Sequence, residues 1–126
     1  MKAEQRRGIR FLVQDDVFVA LENHLTTIGK AKDVSQGGLS FEHIYEDDRI
    51  RKCPETELSL WVGRFRISKV SCRVVYDISV PRPPEYESLI IQLDTRRCGV
   101  QFRGLSEGQA AQLDFFLKTY TEGPVR

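Results

Sequence analysis

Apolar residues recur at every second position through most of this chain, and the period lengthens only beyond residue 105. Ile9-Arg10-Phe11-Leu12-Val13 and Val17-Phe18-Val19-Ala20-Leu21, separated by the turn-forming pair Asp15-Asp16, read as two short strands or one strand with a bend. Thr26 to Lys32 alternates small or apolar side chains with polar ones and delivers a half-buried strand to Asp33. Gly37-Gly38 then reverses or bulges the chain, and Leu39 and Phe41 resume the alternation. Glu42 to Thr56 has no clear period and predicts a loop with room for a short turn of helix. Leu58, Leu60 and Val62, the pair Gly63-Arg64, and Phe65 and Ile67 together make the pattern of a hairpin.

Beyond the hairpin, Val70, Cys72, Val74 and Tyr76 are again two apart but out of phase with Phe65 and Ile67, which predicts a bulge near Ser68-Lys69. Pro81-Arg82-Pro83-Pro84 cannot donate to a ladder and predicts a loop, after which Leu89 to Leu93 and Cys98-Val100-Phe102 read as two more strands. About six or seven short strands joined by tight turns favour a small antiparallel barrel over a sandwich. The last element has a different period. Ser106 stands three residues before Gln109 in a capping pattern, and Leu113, Phe116, Leu117 and Tyr120 fall on one helical stripe, so 106–120 is predicted as an amphipathic helix that covers an end or flank of the barrel and stops before Gly123-Pro124.

Composition narrows what such a domain does. A chain of 126 residues fits one domain, and 40% hydrophobic with 29% charged residues is an ordinary globular balance. The net charge of +1 argues against a protein that coats nucleic acid. Cys53, Cys72 and Cys98 are odd in number and widely spaced, so neither a disulfide framework nor a zinc knuckle is indicated. A charged start and the lack of any long apolar run lead us to expect a soluble, cytoplasmic protein without membrane insertion. His24 and His43 have no carboxylate or cysteine at ligand spacing and read as solvent-facing or turn residues rather than metal ligands. No nucleophile elbow, phosphate-binding glycine loop or paired carboxylates on an apolar strand appear, so no catalytic group and no metal or cofactor is expected.

The positive charge that does exist is local: Arg6, Arg7 and Arg10 fall within five residues, with Gly8 among them disfavouring a rigid helix. Each guanidinium presents a planar fork that matches phosphate oxygens or the O6/N7 edge of guanine. Further on, Asp33-Val34-Ser35-Gln36-Gly37-Gly38 combines a carboxylate able to accept from guanine N1 and N2, a hydroxyl, and a glycine where backbone can approach a ligand. Each string alone also fits a solvated tail or a plain turn. In conjunction they suit an anionic, guanine-bearing ligand.

Arg6-Arg7-Gly8-Ile9-Arg10 followed by Asp33-Val34-Ser35-Gln36-Gly37-Gly38 resembles the PilZ domains, bacterial receptors for cyclic di-GMP, whose signature is R-x-x-x-R and then (D/N)-x-S-x-x-G. Gly99-Val100-Gln101-Phe102 and the helical stripe that follows are similar to that family's closing strand and helix, so the resemblance spans essentially the whole chain. It implies a six-stranded antiparallel β-barrel with a C-terminal α-helix: a flexible arginine arm over 1–10, a barrel over 11–104 and a helix over 106–120. It further implies that Arg6, Arg7 and Arg10 grip phosphates and guanine edges, that Asp33, Ser35 and Gly38 receive a base, and that one or two molecules of cyclic di-GMP are held. The arm would order on binding and signal to an effector protein, the receptor being a monomer or weak dimer. In some members an aromatic on a neighbouring strand lies against the ligand, and Tyr76 is the candidate for it, but the preferred reading of Tyr76 is that it packs the barrel, so it is not counted among the site residues. Two other functions fit the same residues: a small-barrel nucleic-acid binder, which normally adds a basic groove and exposed aromatics, and a ligand-free interaction module, which would be expected to lack part of the signature.

Overall fold

The computed structural model describes residues 9–14, 16–22, 26–44, 55–80 and 95–124. Its elements in chain order are β1 (Phe11–Val13), β2 (Phe18–Glu22), β3 (Thr26–Val34), β4 (Gly38–Ile44), β5 (Glu55–Val62), β6 (Phe65–Ser79), β7 (Thr95–Phe102), α1 (Glu107–Thr119) and β8 (Thr121–Pro124). The sheet runs β2-β5-β6-β7-β4-β3, and β3 pairs back onto β2, so six antiparallel strands close into a barrel. Closure uses the length of β3: Thr26 to Lys30 pair with β2, while Asp33 and Val34 pair with β1, which lies outside the closed ring. Strand β8 then adds to the free edge of β1.

The interior is filled by the alternate residues that the period-2 pattern selects. Val19, Leu21, Val34, Leu39, Phe41, Leu58, Leu60, Cys72 and Cys98 are fully or almost fully buried. The hairpin turns at Gly63, whose φ of +56° suits a residue without a Cβ. The bulge expected near Ser68-Lys69 is present: Leu58 pairs with Val70 and Leu60 with Ile67, leaving two residues of β6 opposite Ser59.

Helix α1 is capped as its sequence predicts. Ser106 Oγ accepts from the Gln109 N–H and Gln109 Oε1 accepts from the Ser106 N–H, both at 3.1 Å. The same glutamine also donates to the Ser68 and Lys69 carbonyls, at 2.9 and 3.2 Å, so the bulge serves as the docking point for the first helical turn. Leu113, Phe116 and Leu117 are buried beneath the helix, and Tyr120 caps its end with its N–H on the Phe116 carbonyl.

Three expectations are revised. The loop predicted over Glu42 to Thr56 is shorter, because β4 continues to Ile44 and β5 begins at Glu55; residues 45–54 lie outside the described ones. Thr121–Pro124 is not merely a helix stop but a strand, paired antiparallel to β1. His43 does not face solvent: it is buried on β4. The predicted Pro81–Pro84 loop and Leu89–Leu93 strand, together with His24, Cys53, Arg6 and Arg7, lie outside the described residues.

Candidate functional site

Two further bulges determine what the outer wall of the barrel displays. In β3, Ala31 pairs with Phe41 and points inward; strict alternation would turn Asp33 inward as well. An extra residue, Lys32, breaks the register, so Asp33 pairs with Ser40 and emerges on the outer face. In β6, Val74 pairs with the inward Val100, and Val75 is the extra residue that sets Tyr76 opposite Gly99. Leu12, Asp33, Ser40, Gly99 and Tyr76 thereby form one row across β1, β3, β4, β7 and β6. Tyr76 is thus not a core residue. Its ring lies against Gly99 so closely that a Cβ at that position would collide with it.

Of the two halves of the sequence pattern, Arg10 and Asp33 meet beside this row. Arg10, just before β1, places its guanidinium 2.5 Å from the Asp33 carboxylate, with the arginine side chain 47% exposed and the aspartate 18%. The intervening β1–β3 pairing brings together residues 23 positions apart.

The turn beside them is built by its serine. Ser35 Oγ accepts from the N–H groups of Gly37 and Gly38, at 3.2 and 3.1 Å, and donates to the Gly38 carbonyl at 3.2 Å, while the Ser35 N–H donates to that carbonyl at 2.7 Å. The hydroxyl is therefore engaged in shaping the loop. Gly38 has a similar local reason: a Cβ there would run into the Val100 carbonyl of β7, so the glycine is required by strand contact before any ligand is considered.

Turn, sheet and helix enclose an open cleft of about 950 Å³. Arg10 and Ser35 to Gly38 form one side, Tyr76, Gly99 and Gln101 belong to its sheet wall, and Leu105, Ala110, Leu113 and Asp114 line the helical side. Gln36 Nε2 donates to Asp114 Oδ1 across it at 3.4 Å. Close by on the outer face, Arg97 pairs with Glu42 at 2.7 Å, and Ser40 Oγ and Arg97 Nε are buried with no hydrogen-bond partner among the described residues.

A second group of polar side chains is buried away from the cleft. On the inner face, the Asp77 carboxylate meets His43 Nε2 at 3.1 Å and Arg96 Nε at 3.2 Å, and Arg96 also donates to the Asp77 carbonyl at 2.6 Å. This buried cluster gives no signal in a period-2 reading, since its members belong to β4, β6 and β7 and meet only when those three strands pair. Burial, followed by the Glu57 charge, pushes the Cys72 thiol up to about 12; burial, then Asp77 and Cys72, pushes Cys98 up as well. Both remain thiols at neutral pH and are poor nucleophiles. Among the described residues no group of three or more side chains could hold a metal ion, and no helix is long and apolar enough to cross a membrane.

A family model for the PilZ domain matches residues 4–118. Comparison with curated proteins returns no match. Among solved structures, the chain is similar to the PilZ domain with c-di-GMP of YcgR from Escherichia coli, with 14% identity and a TM-score of 0.73 over 92% of each chain. It is also similar to K. pneumonia MrkH in its apo state, with 14% identity and a TM-score of 0.69 over 88% of this chain and 47% of that one. The MrkH complex with c-di-GMP matches at 17% identity and a TM-score of 0.65, over 90% and 52%. The chain thus spans about half the length of MrkH, and at these identities the likeness is one of fold.

Proposed function

The chain belongs to the PilZ domain family, and from that premise we propose that it is a receptor for cyclic di-GMP, binding one or two molecules on the outer wall of the barrel without catalysing a reaction. The observation that carries this reading is the Arg10–Asp33 contact at the rim of the cleft, which joins the arginine arm to the base-reading turn. Two proteins of similar fold, YcgR and MrkH, are seen with c-di-GMP.

In this reading Arg6, Arg7 and Arg10 supply guanidinium forks to the phosphates and to the O6/N7 edge of a guanine. Asp33 accepts from the N1 and N2 protons of that base. Ser35 and Gly38 act by shape: the first holds the turn through three hydrogen bonds, and the second lets β4 and β7 approach. The ring of Tyr76, spread over Gly99, provides a flat wall beside the base. With ligand bound, the arm takes a fixed place over the cleft, and an effector protein distinguishes the two states by its different affinity for each.

Calorimetric titration with cyclic di-GMP tests the reading. The wild type binds, and Arg6→Ala, Arg10→Ala and Asp33→Ala each lose about 1–3 kcal/mol, the scale of a charge-assisted or bidentate contact. A folded wild type that gives no binding heat contradicts it. So does retention of an unrelated single-stranded nucleic acid at physiological salt without preference for the cyclic dinucleotide.

A further inference from the structure

Cyclic di-GMP carries two guanines, and the arm and turn account for one of them. Resting on the receptor reading above, we propose that Asp114 on α1 reads the second guanine, so that the helical wall of the cleft is a base-selective half-site.

The cleft, at about 950 Å³, is large for a single base and stands at the upper end of small-molecule sites, roughly 300–1,000 Å³. Its helical side combines an apolar surface with one carboxylate. Leu105 and Ala110 present carbon, Leu113 closes the floor, and Asp114 lies one helical turn after Ala110 on the same face. Such a wall suits the face of a purine with a hydrogen-bonding edge turned toward the acid.

Charge decides which edge. A carboxylate lining a cleft for a doubly anionic ring opposes the phosphates unless it meets a donor edge. Guanine offers N1–H and N2–H side by side, whereas adenine presents an N1 lone pair that a carboxylate repels. The 3.4 Å contact from Gln36 holds Asp114 toward the turn and is long enough to be exchanged for a base. Two carboxylates, Asp33 on the strand that leads into the turn and Asp114 on the helix that Gln36 of the turn touches, then answer the two guanines of one ligand.

The test compares cyclic di-GMP with the mixed cyclic GMP–AMP of the same ring linkage, by calorimetry on the full chain. Wild type prefers cyclic di-GMP by about tenfold or more, the value of a charge-assisted contact kept or lost. Asp114→Ala binds cyclic di-GMP about tenfold more weakly and cyclic GMP–AMP no worse than wild type does, so the preference collapses. Gln36→Ala keeps the preference, which separates base reading from a tether that only steadies the turn. An unchanged cyclic di-GMP affinity in Asp114→Ala, equal losses for both ligands, or a Gln36→Ala that copies Asp114→Ala overturns the inference and leaves the receptor reading intact. A wild type that binds no cyclic di-GMP removes both.

Discussion

A methyl group added at Gly38 would meet the Val100 carbonyl, whereas one added at Gly99 would meet the ring of Tyr76. The first obstacle is backbone at the first pairs of the β4–β7 ladder; the second is a side chain that borders the open cleft. Gly38→Ala is therefore expected to lower folding stability by about 3 kcal/mol, and Gly99→Ala by only about 1 kcal/mol, read from denaturant melts. Gly99→Ala should weaken cyclic di-GMP binding more than its stability loss suggests, because it displaces the aromatic wall. At this scale the pattern of residues was informative where chemistry is local. Arg10, Asp33, Ser35 and Gly38 stand out by type and spacing, and the structure brings them to one rim. Tyr76 is a candidate only through the family resemblance, because Val74-Val75-Tyr76 is a continuous apolar run in which the shift of register leaves no trace.

Among the elements, bulges do most of the positioning, and they differ in how visible they are. The one at Ser68-Lys69 lies between apolar residues of opposite parity and can be read from the chain. The one at Lys32 follows Ala31, too small to mark the inward face, so the emergence of Asp33 is known only from the pairing. Strand β8 is also invisible beforehand: Thr121-Glu122-Gly123-Pro124 has no apolar alternation and becomes a strand only because β1 offers it an open edge. The helix, by contrast, carries its own start signal and stripe, and its capping box, extent and buried face all follow. Its docking rests on Gln109, which completes the cap and binds both bulge carbonyls. Gln109→Ala is expected to cost about 1–2 kcal/mol, while Gln112→Ala, which loses a single 3.4 Å contact to the Arg66 carbonyl, costs about 0.5 kcal/mol or less in the same unfolding assay.

For the molecule as a whole, a net charge of +1 provides no general positive field, so the proposed capture of an anionic dinucleotide rests on where guanidinium groups are placed. The cleft exists only in the closed structure, since its sides come from the turn before β4, the outer faces of β6 and β7, and the flank of α1. Its turn side was legible as a motif. Its helical side was not, because Leu113 belongs to the stripe that packs the core while Asp114 beside it reads as one more solvated charge. A nuclear magnetic resonance titration of backbone amides with cyclic di-GMP tests most directly whether a guanine dinucleotide binds on this outer wall. Binding there places the largest shifts on Arg10, Asp33, Gly38, Tyr76 and Gly99 and extends them to Leu105 and Asp114, while Ala20 and Ser59 on the β2–β5 side stay in place. No shifts at saturating ligand, or shifts centred on the β2–β5 side, would contradict it.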